Sequence, residues 1–451
     1  FTNVRKIKTS QGPSRFYDIS NFGFNWAYSD IERSDIGTAQ FLQQNWKTGL
    51  TYTYTSQAKP WEPFKNSKSK LLSSPWLRLI KDFNLNFVPT SITIRGDLDR
   101  TFTRTELRSG QFAGESFEPF FEKYFLFNRS YDLQWNITKG LSLNYAATAN
   151  SIIDEPAGEI NTQASRDSVR INLLRLGRMQ NFRQNINVNY KVPFDKFPLT
   201  DWLSTDLGYR VDYQWTAASF GLADILGNTI SNSREQSLRG RLDLVKLYNK
   251  VSFLKKVNDV KPAQPARPNP RDTAKVKKSE LKVLQGAARV LMMVRSINVT
   301  YSLQEGTRLP GFAPSAKYMG FDQAFNAPGW DFILGSQDPN IRFRAEQNGW
   351  LVRSDSSLVQ NMPFMQNLTE NLAIQTAIEP FRDFKIQVDM KRQRSAGFQE
   401  IFRYNDTLDV YESLSPVRTG SYSLSMISLG TTFRSSDNTA NSETFREGIT
   451  L

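Results

Sequence analysis

"LSTDLGYRVDYQW", residues 203–215, decides the fold. Leu203, Leu207, Tyr209, Val211, Tyr213 and Trp215 fall on one parity, and Ser204, Asp206, Gly208, Arg210, Asp212 and Gln214 fall on the other. A helix would repeat its apolar positions every 3.6 residues; a repeat of two belongs to a strand with one apolar and one polar side. The same pattern opens the chain in "NFGFNWAYSD", residues 21–30, where Phe22, Phe24, Trp26 and Tyr28 share one parity.

Alternation then recurs from end to end. Trp46, Thr48, Leu50, Tyr52 and Tyr54 are followed by Ile92, Ile94 and Leu98, which interleave with Arg95, Asp97 and Asp99. Tyr131 to Ile137, Leu141 to Tyr145 and Ile186 to Val192 repeat it. So do Leu238 and Leu242 against Arg239 and Arg241, Ile297 to Leu303, Leu372 to Ile378, and Phe384 to Met390 against Lys385, Gln387 and Asp389. Tyr422 and Leu424 suggest a last strand, making about a dozen.

The connections alternate as well. Tight or Pro-marked turns follow Ile137, Val192 and Ile378, whereas Ser29–Gln43, Glu106–Lys123, Ser151–Asn181, Thr216–Asn228 and Gln304–Asn367 read as longer polar loops. Along an up-and-down meander the tight turns fall on one edge and the long loops on the other. Two inserts join the tight-turn edge. One, 57–90, carries Trp76, Leu77, Ile80 and Phe83 at helical spacing, with "FNLNFVP" as an extended return rather than another strand. The other, 245–295, reads as a helix, a Pro-rich basic linker and a second helix striped by Leu281, Leu284, Ala288, Leu291 and Met292. That helix would pack across the rim, or the whole would be a solvated basic linker.

Composition excludes much chemistry. The chain has no Cys and no His, which removes thiolate and imidazole metal sites, disulfides, Cys nucleophiles and Ser-His-Asp triads. Neither a Gly-x-Ser-x-Gly elbow nor a phosphate-cradling Gly loop occurs, so no enzyme activity and no cofactor is expected. The net charge of +13 suggests a nucleic-acid partner, but nine Lys and four Arg against three acidic residues between Val245 and Arg295 supply +10 of it. No basic groove runs over the remainder, and no nucleic acid is expected. No apolar run approaches the length of a transmembrane helix. The Phe1 start and the patternless stretch after Thr432 read as cuts within a longer protein.

Alternation alone also fits a soluble sandwich. Segments of about ten residues and aromatics gathered at their ends favour strands that cross a bilayer. The sequence therefore predicts an all-β, antiparallel up-and-down transmembrane β-barrel, 1–451 forming one portion of it. Phe22, Phe24, Trp26, Tyr28, Trp46, Tyr52, Tyr54, Tyr209, Tyr213 and Trp215 are expected to face lipid. Arg95, Asp97, Asp99, Asp206, Arg210, Asp212, Arg239, Arg241, Lys385 and Asp389 are expected to face a hydrated lumen. In the long 304–367 loop, Trp330, Asp331 and Phe332 are candidates for a cap or partner contact; the plain alternative is a loop packed on neighbouring loops.

Four stretches carry a resemblance: "LYNKVSFLKKVN" (247–258), "ARVLMMVRSINVTYSLQEGTRLPGF" (288–312), "NAPGWDFILGSQDPN" (326–340) and "SPVRTGSYSLSMISLGTTF" (415–433). The chain resembles, over essentially its whole length, the SprA (Sov) family of outer-membrane translocons of the Bacteroidetes type IX secretion system. That resemblance implies a very wide single-chain barrel in the outer membrane, conducting folded cargo proteins with C-terminal secretion domains, and a link to gliding motility. It also implies a PorV-type barrel and a periplasmic plug protein as partners, an inner-membrane motor acting indirectly, and lipid and lipopolysaccharide around the wall. The long loops would then lie outside the cell and both inserts in the periplasm. Another barrel class, a TonB-dependent importer or a lipopolysaccharide exporter, and a soluble β-rich adhesin are the alternatives.

Overall fold

The computed structural model describes residues 1–8, 12, 14–56, 59–67, 69, 74–109, 117–258, 288–354, 362–381 and 384–425. Thirteen strands form one antiparallel sheet in strict chain order, each hydrogen-bonded to the next. They are β1 (Val4–Arg5), β2 (Phe22–Arg33), β3 (Thr38–Thr55), β4 (Ser91–Leu107), β5 (Phe120–Asn136), β6 (Leu141–Ile152) and β7 (Arg178–Val192). β8 (Leu203–Thr216), β9 (Asn228–Asp243), β10 (Val294–Phe312), β11 (Phe364–Phe381), β12 (Phe384–Asn405) and β13 (Val410–Ser425) complete the sheet. Among the described residues β13 and β1 do not pair, so both edges stand open.

Apart from β1, the strands run 12 to 22 residues, longer than the alternation suggests. The expected loops at 29–43 and 304–367 are in part strand: β2 and β3 stay paired out to Arg33 and Phe41, and β10 continues to Phe312. The apolar rhythm stops midway along these strands, but backbone pairing does not need apolar side chains, so the ladder goes on. What remains between β10 and β11 is 313–363. The two-edge arrangement of turns holds: 137–140 and 193–202 lie on the same edge as both inserts, and 108–119, 153–177, 217–227 and 313–363 on the other.

Among the described residues helices are few and short. The 57–90 insert holds a single turn, α1 (Arg78–Lys81), and its return segment contributes one isolated bridge, Trp61 with Leu85, rather than a strand. Between β6 and β7 lies α2 (Gln163–Leu174), capped by the Thr162 hydroxyl accepting from Ser165 N–H at 3.2 Å. α3 (Ala223–Leu226) precedes β9. The second insert opens with α4 (Leu244–Asn249) and α5 (Ser252–Asn258), so the expected first helix is broken in two. Its Pro-rich linker, with Leu281 and Leu284, lies outside the described residues. Ala288 and Met292 pack on Tyr248, Phe253 and Leu254, whereas Leu291 is exposed. The 313–363 connection carries α6 (Trp330–Ile333) and α7 (Ile341–Gln347). No described helix is long and apolar enough to cross a membrane.

Strand register decides which side chains share a face, because partners in a ladder point the same way. Tyr190, Leu207, Leu238, Tyr301 and Leu372 are successive partners across β7 to β11. At the other end Phe24, Leu50 and Gly96, and Phe22, Tyr52, Ile94 and Tyr131, are partners on that same face. One apolar face therefore runs through every long strand on the tight-turn half of the sheet.

Candidate functional site

The opposite face is polar along the same rows. Lys191, Asp206, Arg239 and Thr300 are partners across four strands, as are Asn187, Arg210, Glu235 and Gln304. Asn185, Asp212, Ser233 and Gly306 form the next row, and Asn298, Gln375 and Asp389 another. Arg95, Asp97, Asp99, Arg241 and Lys385 share this parity, so all ten residues singled out as polar lie on one face. Charges on it are paired locally: Lys47 with Asp99 at 3.1 Å, Arg95 with Asp97 at 2.6 Å, and Arg210 with Asp212 at 3.1 Å. Such exposed pairs contribute little stability. Their effect is a polar surface of mixed sign.

The apolar face has two zones. Towards the tight-turn edge its side chains are mostly aliphatic or aromatic, with Thr48, Thr205 and Thr376 among them, and Phe22, Phe24, Trp26 and Tyr28 are exposed, Trp26 at 38%. Phe22 lies against Tyr52 and Tyr28 against Trp46, with ring centroids 5.1 and 5.4 Å apart. Soluble monomers rarely leave an apolar patch of this breadth uncovered. Towards the loop edge the same parity turns polar along one register row: Gln184, Tyr213, Asn232, Thr307 and Gln366.

Residues 313–354 of that connection are strapped over that row. Tyr213 donates to Gly320 O (3.1 Å), Tyr209 to Leu334 O (2.7 Å) and Trp215 Nε1 to Pro314 O (3.1 Å). Asn232 donates to Phe332 O and Ser336 O at 2.8 and 2.9 Å, and Gln366 to Asp338 O at 3.0 Å. Phe332 stands edge-on to the Tyr213 ring, 6.1 Å between centroids. Around these contacts lies the largest buried cluster, including Phe312, Phe321, Ile333, Ile341 and Phe364. The polar row satisfies backbone groups of an irregular segment that a buried loop would otherwise leave unpaired.

Three of the aromatics expected to face lipid are corrected. Tyr213 is 0% and Trp215 1% exposed, both covered by the strap, and Tyr54 is buried too. Their alternation marks the face rightly, but alternation carries no sign of which stretch of it the protein covers itself. The 326–340 element is also divided: Phe332 is an anchor buried on the sheet, Asp331 pairs with Arg344 at 2.5 Å, and Trp330 points out against Phe321, 4.4 Å between centroids. The strap packs on the sheet itself rather than on neighbouring loops. Sequence reasoning missed Asn232, Thr307 and Gln366; the available signal was polar residues on the apolar parity of three consecutive strands.

At the other edge both inserts hook onto rim turns by lysine–carboxylate pairs. Lys196 meets Asp82 at 2.6 Å, Lys139 meets Glu62 at 2.6 Å, and Lys250 meets Asp201 at 2.6 Å. Trp135 Nε1 donates to Asn86 O at 2.8 Å. Pro60 and Asn86 of the first insert share a cavity with Asp206, Gly208 and Arg239, so this insert leans over the polar face. The Lys196 hydrogen bond holds the Asp82 carboxyl below its usual 3.8, and Lys139 and then Lys65 hold Glu62 below its usual 4.5. Depressed carboxylates stabilise above their unfolded values and lose that contribution as pH falls through the folded ones. Hydrogen exchange of residues 59–67 and 77–86 is therefore expected to accelerate below about pH 4 while strand amides stay protected. Unchanged exchange down to about pH 2 would remove the hook.

No protein-family model matches the chain, and no curated protein matches it.

Proposed function

We propose that this chain is an arc of the wall of a wide outer-membrane β-barrel. The observation that carries the reading is the in-register division of thirteen strands into one apolar and one polar face, with the apolar zone confined to the tight-turn half. On β10 that zone covers Ile297, Val299, Tyr301 and Leu303 and ends at Glu305. Eight or nine residues at about 3.3 Å each span roughly 28 Å along the strand, which a tilt of 35–45° shortens to about 20–23 Å, close to the apolar belt of a bacterial barrel. Lipid then covers Phe22, Phe24 and Trp26, and the polar face lines water. Because unpaired edge amides are costly in lipid, β1 and β13 pair with strands outside this sheet.

Within that class we assign the chain to the protein-conducting translocon of the type IX secretion system, of the SprA (Sov) kind, in the outer membrane. The resemblance of 247–258, 288–312, 326–340 and 415–433 supports the assignment. So does width. A folded domain of about 100 residues has a radius of gyration near 13 Å, and diameter grows with strand number. An open arc of thirteen strands can belong to a barrel wide enough for it. The mixed-sign polar face would let folded cargo pass without sticking. A PorV-type barrel, a periplasmic plug and the inner-membrane motor remain the proposed partners, and the strap and 153–177 face the exterior.

Two measurements test this in order. In bilayer discs, cysteines replacing Asp206 and Thr300 should react with a charged thiol reagent, while those replacing Leu207 and Tyr301 should not; equal reactivity would remove the barrel. In cells, a photo-crosslinker at Arg210 should capture exported proteins in transit and one at Tyr301 should not. Capture at neither would leave a barrel without the translocon role.

A further inference from the structure

On the outer zone of the apolar-parity face, between 153–177 and the start of the strap, lies a cavity of about 570 Å³. Its charged lining is Arg129, Arg175, Arg178 and Lys317 against a single acid, Asp154. Arg178 takes that acid for itself, with two bonds of 3.0 Å. Arg175 and Lys317 have no ion pair among the described residues.

Arg129 is the decisive group. It is 8% exposed, its Nη2 donates to Ser151 Oγ at 2.9 Å, and its Nε has no partner. Other sheltered arginines have carboxylates: Arg100 with Glu155, Arg234 with Glu305, and Arg342 with Glu400. A buried guanidinium is costly unless a counter-charge meets it, and among the described residues none meets Arg129. Three cations with no protein anion converge on one cavity.

We propose that this cavity binds a phosphorylated sugar, its phosphate held by Arg129 with Arg175 and Lys317. The guanidinium fork matches a phosphate in two parallel hydrogen bonds, and a dianion balances the site better than a carboxylate. The volume exceeds that of an oxyanion alone and is within the range of small-ligand sites. Tyr318, stacked on Phe325 with centroids 6.0 Å apart and planes 10° apart, gives a flat wall for the sugar ring. The sugar can belong to a glycolipid headgroup of the outer leaflet or be free in solution. The lipid source rests on the barrel reading above; the phosphate chemistry does not.

Native mass spectrometry of the protein in detergent separates the cases, with phosphorylated lipid A, the same lipid dephosphorylated, glucosamine 1-phosphate and inorganic phosphate as probes. Phosphorylated lipid A or glucosamine 1-phosphate should bind, the first alone indicating the membrane source and both equally the free one. Arg129→Gln should weaken binding about 10- to 100-fold. The double variant Arg175→Ala, Lys317→Ala alters only exposed side chains, cannot fail through folding, and should weaken it as well. Equal binding of phosphorylated and dephosphorylated lipid, binding of inorganic phosphate alone or of no probe, or affinities untouched by both variants would overturn the site.

Discussion

Replacing Tyr213 by alanine is expected to release the strap from the sheet, seen as faster tryptic cleavage after Lys317, Arg342 and Arg344 with the sheet's β signal intact. Tyr213 is completely buried, touches Phe182 and Phe332, and donates to Gly320 O. Truncating a buried aromatic side chain costs about 3–5 kcal/mol, and each 1.4 kcal/mol is a factor of ten in an opening equilibrium. Cleavage that follows the open population should therefore rise by at least about 10²-fold. Tyr213→Phe keeps the ring and loses only the hydroxyl, so it should cost about 0.5–1.5 kcal/mol. Gly320 ought to be as sensitive as Tyr213. Its φ of +86° is strained for other residues, and a Cβ there would lie 2.4 Å from Tyr213 Cε1. If Tyr213→Ala leaves cleavage unchanged, the strap is held by its own internal packing and the sheet contributes nothing to it.

Much of the sheet is legible in the sequence because strand periodicity is local. Residues 203–215 state their two faces without reference to any neighbour, and the two-edge order of turns follows from counting. The ten polar positions come out on one face for that reason: parity within a strand is fixed by geometry, and register only has to keep it. What is not legible depends on contacts distant in sequence. Trp215 and Trp26 occupy equivalent places in the same alternation. One is sealed beneath Pro314 and the other is open, because 313–354 returns over β7 to β11 and not over β2. Strand length is not legible for a related reason. Beyond the apolar zone the side chains are mixed, as at Asp30, Glu32, Gln43 and Gln44, and only the partner strand keeps the backbone extended. Arg129 is the extreme case: in sequence it is one arginine in a strand, and only burial beside an occupied Asp154 makes it a site.

The far end of the strap is locked differently, by charge. Arg342 on α7 lies under the rings of Phe343, Phe364 and Phe398, with its guanidinium 4.4, 5.0 and 5.5 Å from their centroids, and is paired with Glu400 of β12. The Glu400 side chain is 2% exposed and also accepts from the Ser413 hydroxyl. Burial pushes the guanidinium's pKa down while Glu400 pulls it up, so the carboxylate is what keeps a charge tolerable there. Glu400→Ala strands that charge among aromatic rings and should cost about 3–5 kcal/mol, freeing the strap about as much as Tyr213→Ala does. Arg342→Met alone should also be costly, since it leaves Glu400 buried without its partner. Removing both charges with shape retained, Arg342→Met with Glu400→Leu, should recover most of the loss, because an apolar pair in that place has no desolvation penalty. The measurement is a double-mutant cycle on the tryptic opening of the strap, with expected coupling well above the roughly 0.3–0.5 kcal/mol scatter of independent sites. Were the double variant to cost the sum of the two single ones, the pair would be an incidental contact, and the three rings alone would hold α7 to the sheet.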